Sequence, residues 1–103
     1  LPAISEFSES PKYPADIVVC SDVLEHVEPE FSDSVLADIR RLTRKVALLV
    51  IATGPAVKIL DDGRNAHLTQ EDERFWLPKV TEHFKLLSFK HLGQEFAVIG
   101  GPR

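Results

Sequence analysis

A chain of 103 residues is long enough for one small domain with its own core, and too short for two. Hydrophobic residues make up 44% and charged residues 27%, the balance of a soluble globular domain. The net charge of -4 supplies no general basic footprint for nucleic acid, and no apolar run approaches the ~20 residues that span a bilayer.

The single cysteine, Cys20, rules out an intrachain disulfide framework and agrees with a reducing compartment. No basic segment followed by an apolar stretch opens the chain, so no signal peptide is visible and the expected location is cytoplasmic. The first fifteen residues, with Pro2, Pro11 and Pro14, read as an extended loop, because proline opposes helix and central strand alike. Phe7 and Tyr13 are candidates for pinning this loop to the surface.

Asp16 to Cys20 follows as an unbroken apolar strand, Ile17-Val18-Val19-Cys20 behind an acid. Such a run predicts a strand buried on both faces, as in a parallel α/β sheet. A polar turn comes next, carrying Ser21, Asp22, Glu25, His26, Glu28 and Glu30. Pro29 and Ser32 announce a helix, with Ser32 as N-cap and Asp33 in the first turn. Val35, Leu36, Ile39 and Leu42 give it one apolar face. Arg40, Arg41, Arg44 and Lys45 gather at its far end, where cations complement the dipole.

Val46 to Ala52 is a second apolar strand, completing a βαβ unit with a right-handed crossover. Ala56 to Leu68 is a long loop with a turn signal at Asp61-Asp62-Gly63. Loops of that length in compact domains are usually functional or disordered. Thr69 and Asp72 resemble a capping box for a helix through Phe75, Trp76 and Leu77. Pro78 predicts a break in that helix. Trp76 and Val80 are expected in the core. Phe84–His91 and Glu95–Ile99 read as a terminal hairpin around Gly93, with order ending at Gly100, Gly101 and Pro102. His83 and His91 have no evident partner and read as surface residues.

The stretch DIVVCSDVLEHVEPE resembles the fourth-strand motif of class I S-adenosylmethionine-dependent methyltransferases, and the later elements continue the likeness. The resemblance implies an α/β, three-layer αβα fold: a partial Rossmann-like methyltransferase sheet that lacks the N-terminal glycine-loop half, with residues 1–103 as a single domain. The glycines, Gly54, Gly63, Gly93, Gly100 and Gly101, form no Gly-x-Gly-x-Gly loop. It also implies that Cys20, Ser21, Asp22 and Val23 line the methionine end of an S-adenosylmethionine pocket. Weak cofactor binding or none is expected of the isolated chain, and no methyl transfer. In the family this strand pairs with the first one, so the Asp16–Cys20 edge is expected to self-associate or to accept a separate N-terminal segment.

Asp22, Glu25 and His26 fall at i, i+3 and i+4, which places them on one side of a single helical turn. With His67 from the later loop they could form a divalent metal site. That set also resembles the motif of the metal-dependent small-RNA 3′-terminal 2′-O-methyltransferases. Without a metal, His26 or His67 is a candidate general base. Arg64 and Asn65 are candidates for meeting a substrate carboxylate or phosphate. The competing reading is a non-catalytic α/β module for dimerisation or partner binding.

Overall fold

The structure, a computed structural model, describes residues 13–103. Phe7 and most of the opening loop lie outside the described residues. Tyr13 is 82% exposed and pins nothing to the surface.

Strand β1 spans Ala15–Ser21. Helix α1 spans Ser32–Leu42 and strand β2 spans Thr43–Ala52. Helix α2 spans Glu73–His83, and strands β3, Phe84–His91, and β4, Glu95–Pro102, close the chain. The sheet order is β1-β2-β4-β3. β1 and β2 run parallel, with Ile17 opposite Val46 and Ser21 opposite Val50. β4 runs antiparallel to both β2 and β3. This is the partial Rossmann-like sheet expected from the sequence.

Both helices pack on the same face and touch each other. Cys20, Ala47, Leu49, Ile51, Phe96 and Val98 meet them there, with Leu36, Ile39, Trp76 and Val80 as the helix contribution. The other face is also apolar, which is why β1 and β2 read as unbroken hydrophobic runs. Among the described residues nothing covers that face: Ile17 is 66% and Val19 59% exposed. The described residues therefore supply two layers of the expected three. Among the described residues β1 is an edge strand, with one side of its backbone unpaired, the kind of edge that another chain can join.

Three local expectations are corrected. Ser32 is the first residue inside α1 rather than its cap, and its Oγ donates to the Pro29 carbonyl at 2.7 Å. Pro29 opens a 3-10 turn, Pro29–Phe31, where its missing N–H costs nothing. Thr69 does not cap α2; Asp72 does, accepting from the Arg74 amide at 3.0 Å. Pro78 does not break α2. The carbonyl it deprives of a donor is that of Arg74, on the exposed side of the helix, where solvent can take the donor's place.

The hairpin also runs further than expected. Gly100 and Gly101 are buried inside β4. A Cβ at Gly100 would lie 2.9 Å from the Phe84 Cβ, so the glycine lets the two strands close over the Phe84 ring. Arg44 and Lys45 lie on β2 and face Asp16 at 2.9 and 3.9 Å, so the basic cluster is divided between helix end and sheet. No described helix is long and apolar enough to cross a membrane.

Candidate functional site

The chemistry-bearing residues gather at the carboxyl ends of β1 and β2, where ligands sit in open α/β sheets. β1 ends at Ser21, and Asp22 turns the chain with φ 59°. That left-handed conformation is uncommon outside glycine and is best tolerated by Asp and Asn. Val23 and Leu24 then drop into the core, and Leu24–His26 forms a 3-10 turn. The turn is tighter than the α-helical turn expected and begins beyond Asp22, which is not among the residues whose ligand atoms converge with Glu25 and His26.

Glu25 is fully buried. Its Oε1 lies 3.4 Å from the Ala52 amide at the end of β2; its Oε2 has no hydrogen-bond partner and stands 4.0 Å from His26 Nε2. Burial pushes its carboxyl above the ordinary value, with the Asp22 charge adding to the rise. The two backbone hydrogen bonds and His26 work in the other direction. The Cys20 thiol, on the helix-covered face, is pushed up to about 12 by burial and by the Glu25 charge. Only the backbone of Cys20 is left to serve a rim site.

The loop after β2 is folded back onto this turn by specific hydrogen bonds. Asn65 Oδ1 accepts from the Ala56 and His67 amides at 2.8 and 2.9 Å, and its Nδ2 donates to the Ala56 carbonyl. Thr69 is buried; its amide donates to the Glu25 carbonyl at 3.1 Å and its Oγ1 to the Val27 carbonyl at 2.7 Å. Arg64 pairs with Glu28 and with Asp62, joining the two loops. Arg64 and Asn65 are thus occupied in holding the loop, which removes them as free anion binders.

The result brings two imidazoles together. His26 and His67 stand edge to face with ring centroids 4.8 Å apart. His26 Nδ1 lies 2.9 Å from the Ala66 carbonyl and His67 Nδ1 2.7 Å from the Gly54 carbonyl. A carbonyl only accepts, so each neutral ring carries its proton on Nδ1 and keeps the Nε2 lone pair free. Glu25, His26 and His67 each offer a ligand atom within 4.8 Å of the others. Asp22 lies outside this group.

Asp22 and His67 instead share the wall of a cavity of about 330 Å³, with Ala52, Gly54, Pro55, Leu92, Gln94 and Glu95. Gln94 and Glu95 carried no signal as site residues in the sequence. They reach the rim because β4 inserts antiparallel beside β2, with Glu95 opposite Ala52. The direction of β4 was the one feature that could have placed the hairpin turn here. His83, read as unpartnered, holds Asp33 at 2.9 Å and ties the end of α2 to the start of α1.

No protein-family model matches this chain, and no curated protein matches it in sequence. The fold does match solved structures. An O-methyltransferase family protein from Burkholderia thailandensis superposes with a TM-score of 0.67 at 13% identity, over 92% of this chain and 32% of the other. Magnesium protoporphyrin IX methyltransferase from Synechocystis PCC 6803, with S-adenosylhomocysteine bound, gives 0.68 at 13% identity, over 90% and 47%. A protein from Pyrococcus horikoshii OT3 gives 0.66 at 13% identity, over 85% and 51%. The chain has the methyltransferase fold, and it spans about a third to a half of the length of these neighbours.

Proposed function

We propose that this chain is the C-terminal part of an S-adenosylmethionine-dependent methyltransferase. The observation that carries the reading is the polar rim at Ser21–His26 on a sheet of order β1-β2-β4-β3, whose last strand is reversed. Neighbours of this fold have been solved with S-adenosylmethionine or S-adenosylhomocysteine bound. The cofactor supplies a methyl group on a sulfonium sulfur. Ser21 and Asp22, with the backbones of Cys20 and Val23, line its methionine end. Asp22 leaves its backbone and carboxylate turned outward at that rim. The acceptor must lose a proton as its new bond to carbon forms, and His67, whose ring lines the cavity with Nδ1 held on the Gly54 carbonyl, takes it on Nε2. His26 stands behind His67 as its nearest aromatic neighbour or as an alternative base. With no glycine-rich loop, these residues bind the cofactor at millimolar strength at best and do not turn over. We read the compartment as the cytoplasm, because the one thiol, Cys20, is free and buried.

The test is calorimetry with S-adenosylmethionine on this chain and on a version extended by the coding sequence upstream of Leu1. A glycine-rich strand-turn-helix in that upstream sequence and micromolar binding by the extended chain support the reading. An extended chain carrying such a half that still fails to bind contradicts it.

A second reading is favoured by one atom. Glu25 Oε2 is buried without a hydrogen bond, 4.0 Å from His26 Nε2 and beside two histidines whose Nδ1 atoms are already held. Nδ1 held on a carbonyl with Nε2 presented is how metal-ligating histidines are oriented. A divalent ion bound by Glu25, His26 and His67 would satisfy that oxygen and polarise an acceptor hydroxyl, as in the metal-dependent RNA 2′-O-methyltransferases. Titration with Mn²⁺ followed by histidine NMR line broadening tests it; broadening absent at His26 and His67 contradicts it.

A further inference from the structure

The cavity beside Asp22 has a definite position relative to the cofactor side of the rim. β1 is the edge strand, and Ser21–Val23 leave its end. The cavity lies on the other side of Asp22, over the tips of β2 and β4. It is walled by the backbone of Ala52–Pro55 below, His67 on one side and the β3–β4 turn on the other. The turn is held there by Thr53, whose amide and Oγ1 both donate to the Gln94 carbonyl at 2.9 and 3.1 Å. A second anchor is the Leu92 amide, which donates to the Glu95 carbonyl at 2.8 Å.

The chemistry of the lining is one-sided. Asp22 and Glu95 each bring a carboxylate with no ion pair or hydrogen-bonding partner among the described residues. Gln94 brings an amide, whose Oε1 lies 3.7 Å from where a Cβ on Gly54 would stand. His67 adds a lone pair at Nε2. No lysine or arginine lines the space, and Arg64 is held by Glu28 and Asp62. An anion entering this cavity would meet two negative charges and no donor of its own strength. A cation or an amine would meet acceptors on three walls.

We propose that this cavity is the acceptor subsite and that it takes a small amine-bearing, positively charged molecule, with Glu95 and Gln94 setting the specificity. This rests on the methyltransferase reading for the word acceptor, while the class of ligand rests on the cavity alone. Gly54 keeps the floor open beside Gln94.

The test is an amide NMR titration of the ¹⁵N-labelled chain at low salt, with putrescine as the amine probe and inorganic phosphate as the anion. Putrescine is expected to shift Gly54, Gln94 and Glu95 saturably, and phosphate to leave them unmoved. Glu95→Gln is expected to weaken putrescine about tenfold, the contribution of one charge-assisted hydrogen bond. Asp22→Asn, which keeps the left-handed turn, is expected to weaken it in the same direction and guards against a folding defect in the first variant. Phosphate seated in the cavity, putrescine shifts scattered over other acidic surface, or an affinity in both variants unchanged from the parent would overturn the proposal. S-adenosylhomocysteine added to the chain extended by the coding sequence upstream of Leu1 reads Ser21–Val23 separately. Its failure alone removes the methyltransferase reading and leaves the amine site standing; failure of putrescine alone removes the amine site.

Discussion

Thr69 and Val27 are joined by a 2.7 Å hydrogen bond between residues far apart in sequence, and that bond fastens the loop after β2 to the turn after β1. The same residue's amide holds the Glu25 carbonyl. His26 and His67 meet because these two loops are pinned. Replacing Thr69 with Val keeps the shape and removes the donor, leaving a carbonyl in a partly buried place without a partner. The expected cost is about 1–3 kcal/mol of stability, read by urea unfolding. The amides of His26 and His67 should also broaden as the loops loosen; an unchanged spectrum would show that other contacts hold the rim.

Glu25 gives a pH signature. Its folded-state value is raised above 4.5 by burial. In the window between 4.5 and the folded value, the folded state binds more protons than the unfolded one. Its stabilising contribution is therefore complete below 4.5 and is lost as pH rises through the folded value. In a chelator-containing buffer at pH 8, Glu25→Gln should be more stable than the parent chain, and the difference should shrink towards pH 4. Chemical unfolding across that range checks it, and a Gln variant less stable at pH 8 contradicts it.

Gly100 has no room for a side chain. Alanine there would press a methyl to within 2.9 Å of the Phe84 Cβ. Overpacking of this kind costs about 1–3 kcal/mol. Thermal unfolding of Gly100→Ala should show that loss, while Gly54→Ala, whose new methyl makes only ordinary contact, should leave stability close to the parent.

The open edge and face of β1 should associate. Among the described residues Ile17 and Val19 are more than half exposed beside unpaired backbone. We expect the chain to form dimers or larger species through Ala15–Ser21, and Ile17→Lys with Val19→Lys to restore the monomer. Light scattering across a wide concentration range decides it; a parent chain that stays monomeric throughout removes this interface.

Strand, helix, strand and hairpin were legible in the sequence, because β-branched runs and helical spacing are local signals. The direction in which Val46–Ala52 delivers its loop was legible too, since a βαβ unit has one handedness. Less visible were features decided by packing at a distance. Thr69 looked like a cap because Asp72 follows at capping distance, yet its hydroxyl serves Val27. Asp22 looked like a further ligand because i, i+3 spacing assumes an α-turn, whereas Asp22 takes a left-handed conformation before a 3-10 turn and stands outside the converging group. Pro78 looked like a breaker because sequence does not say which side of a helix faces water. Gln94 and Glu95 entered the site only through the register of β4 against β2.

The most direct measurement of the central claim is an amide NMR map, with S-adenosylhomocysteine, of the chain extended by the coding sequence upstream of Leu1. The expected result is a set of concentration-dependent shifts that, within residues 13–103, is confined to Cys20–Val23 and the facing loop residues. Shifts absent there, or centred on the far end of the sheet near Phe84 and Pro102, would contradict a methyl donor ever having sat at this rim.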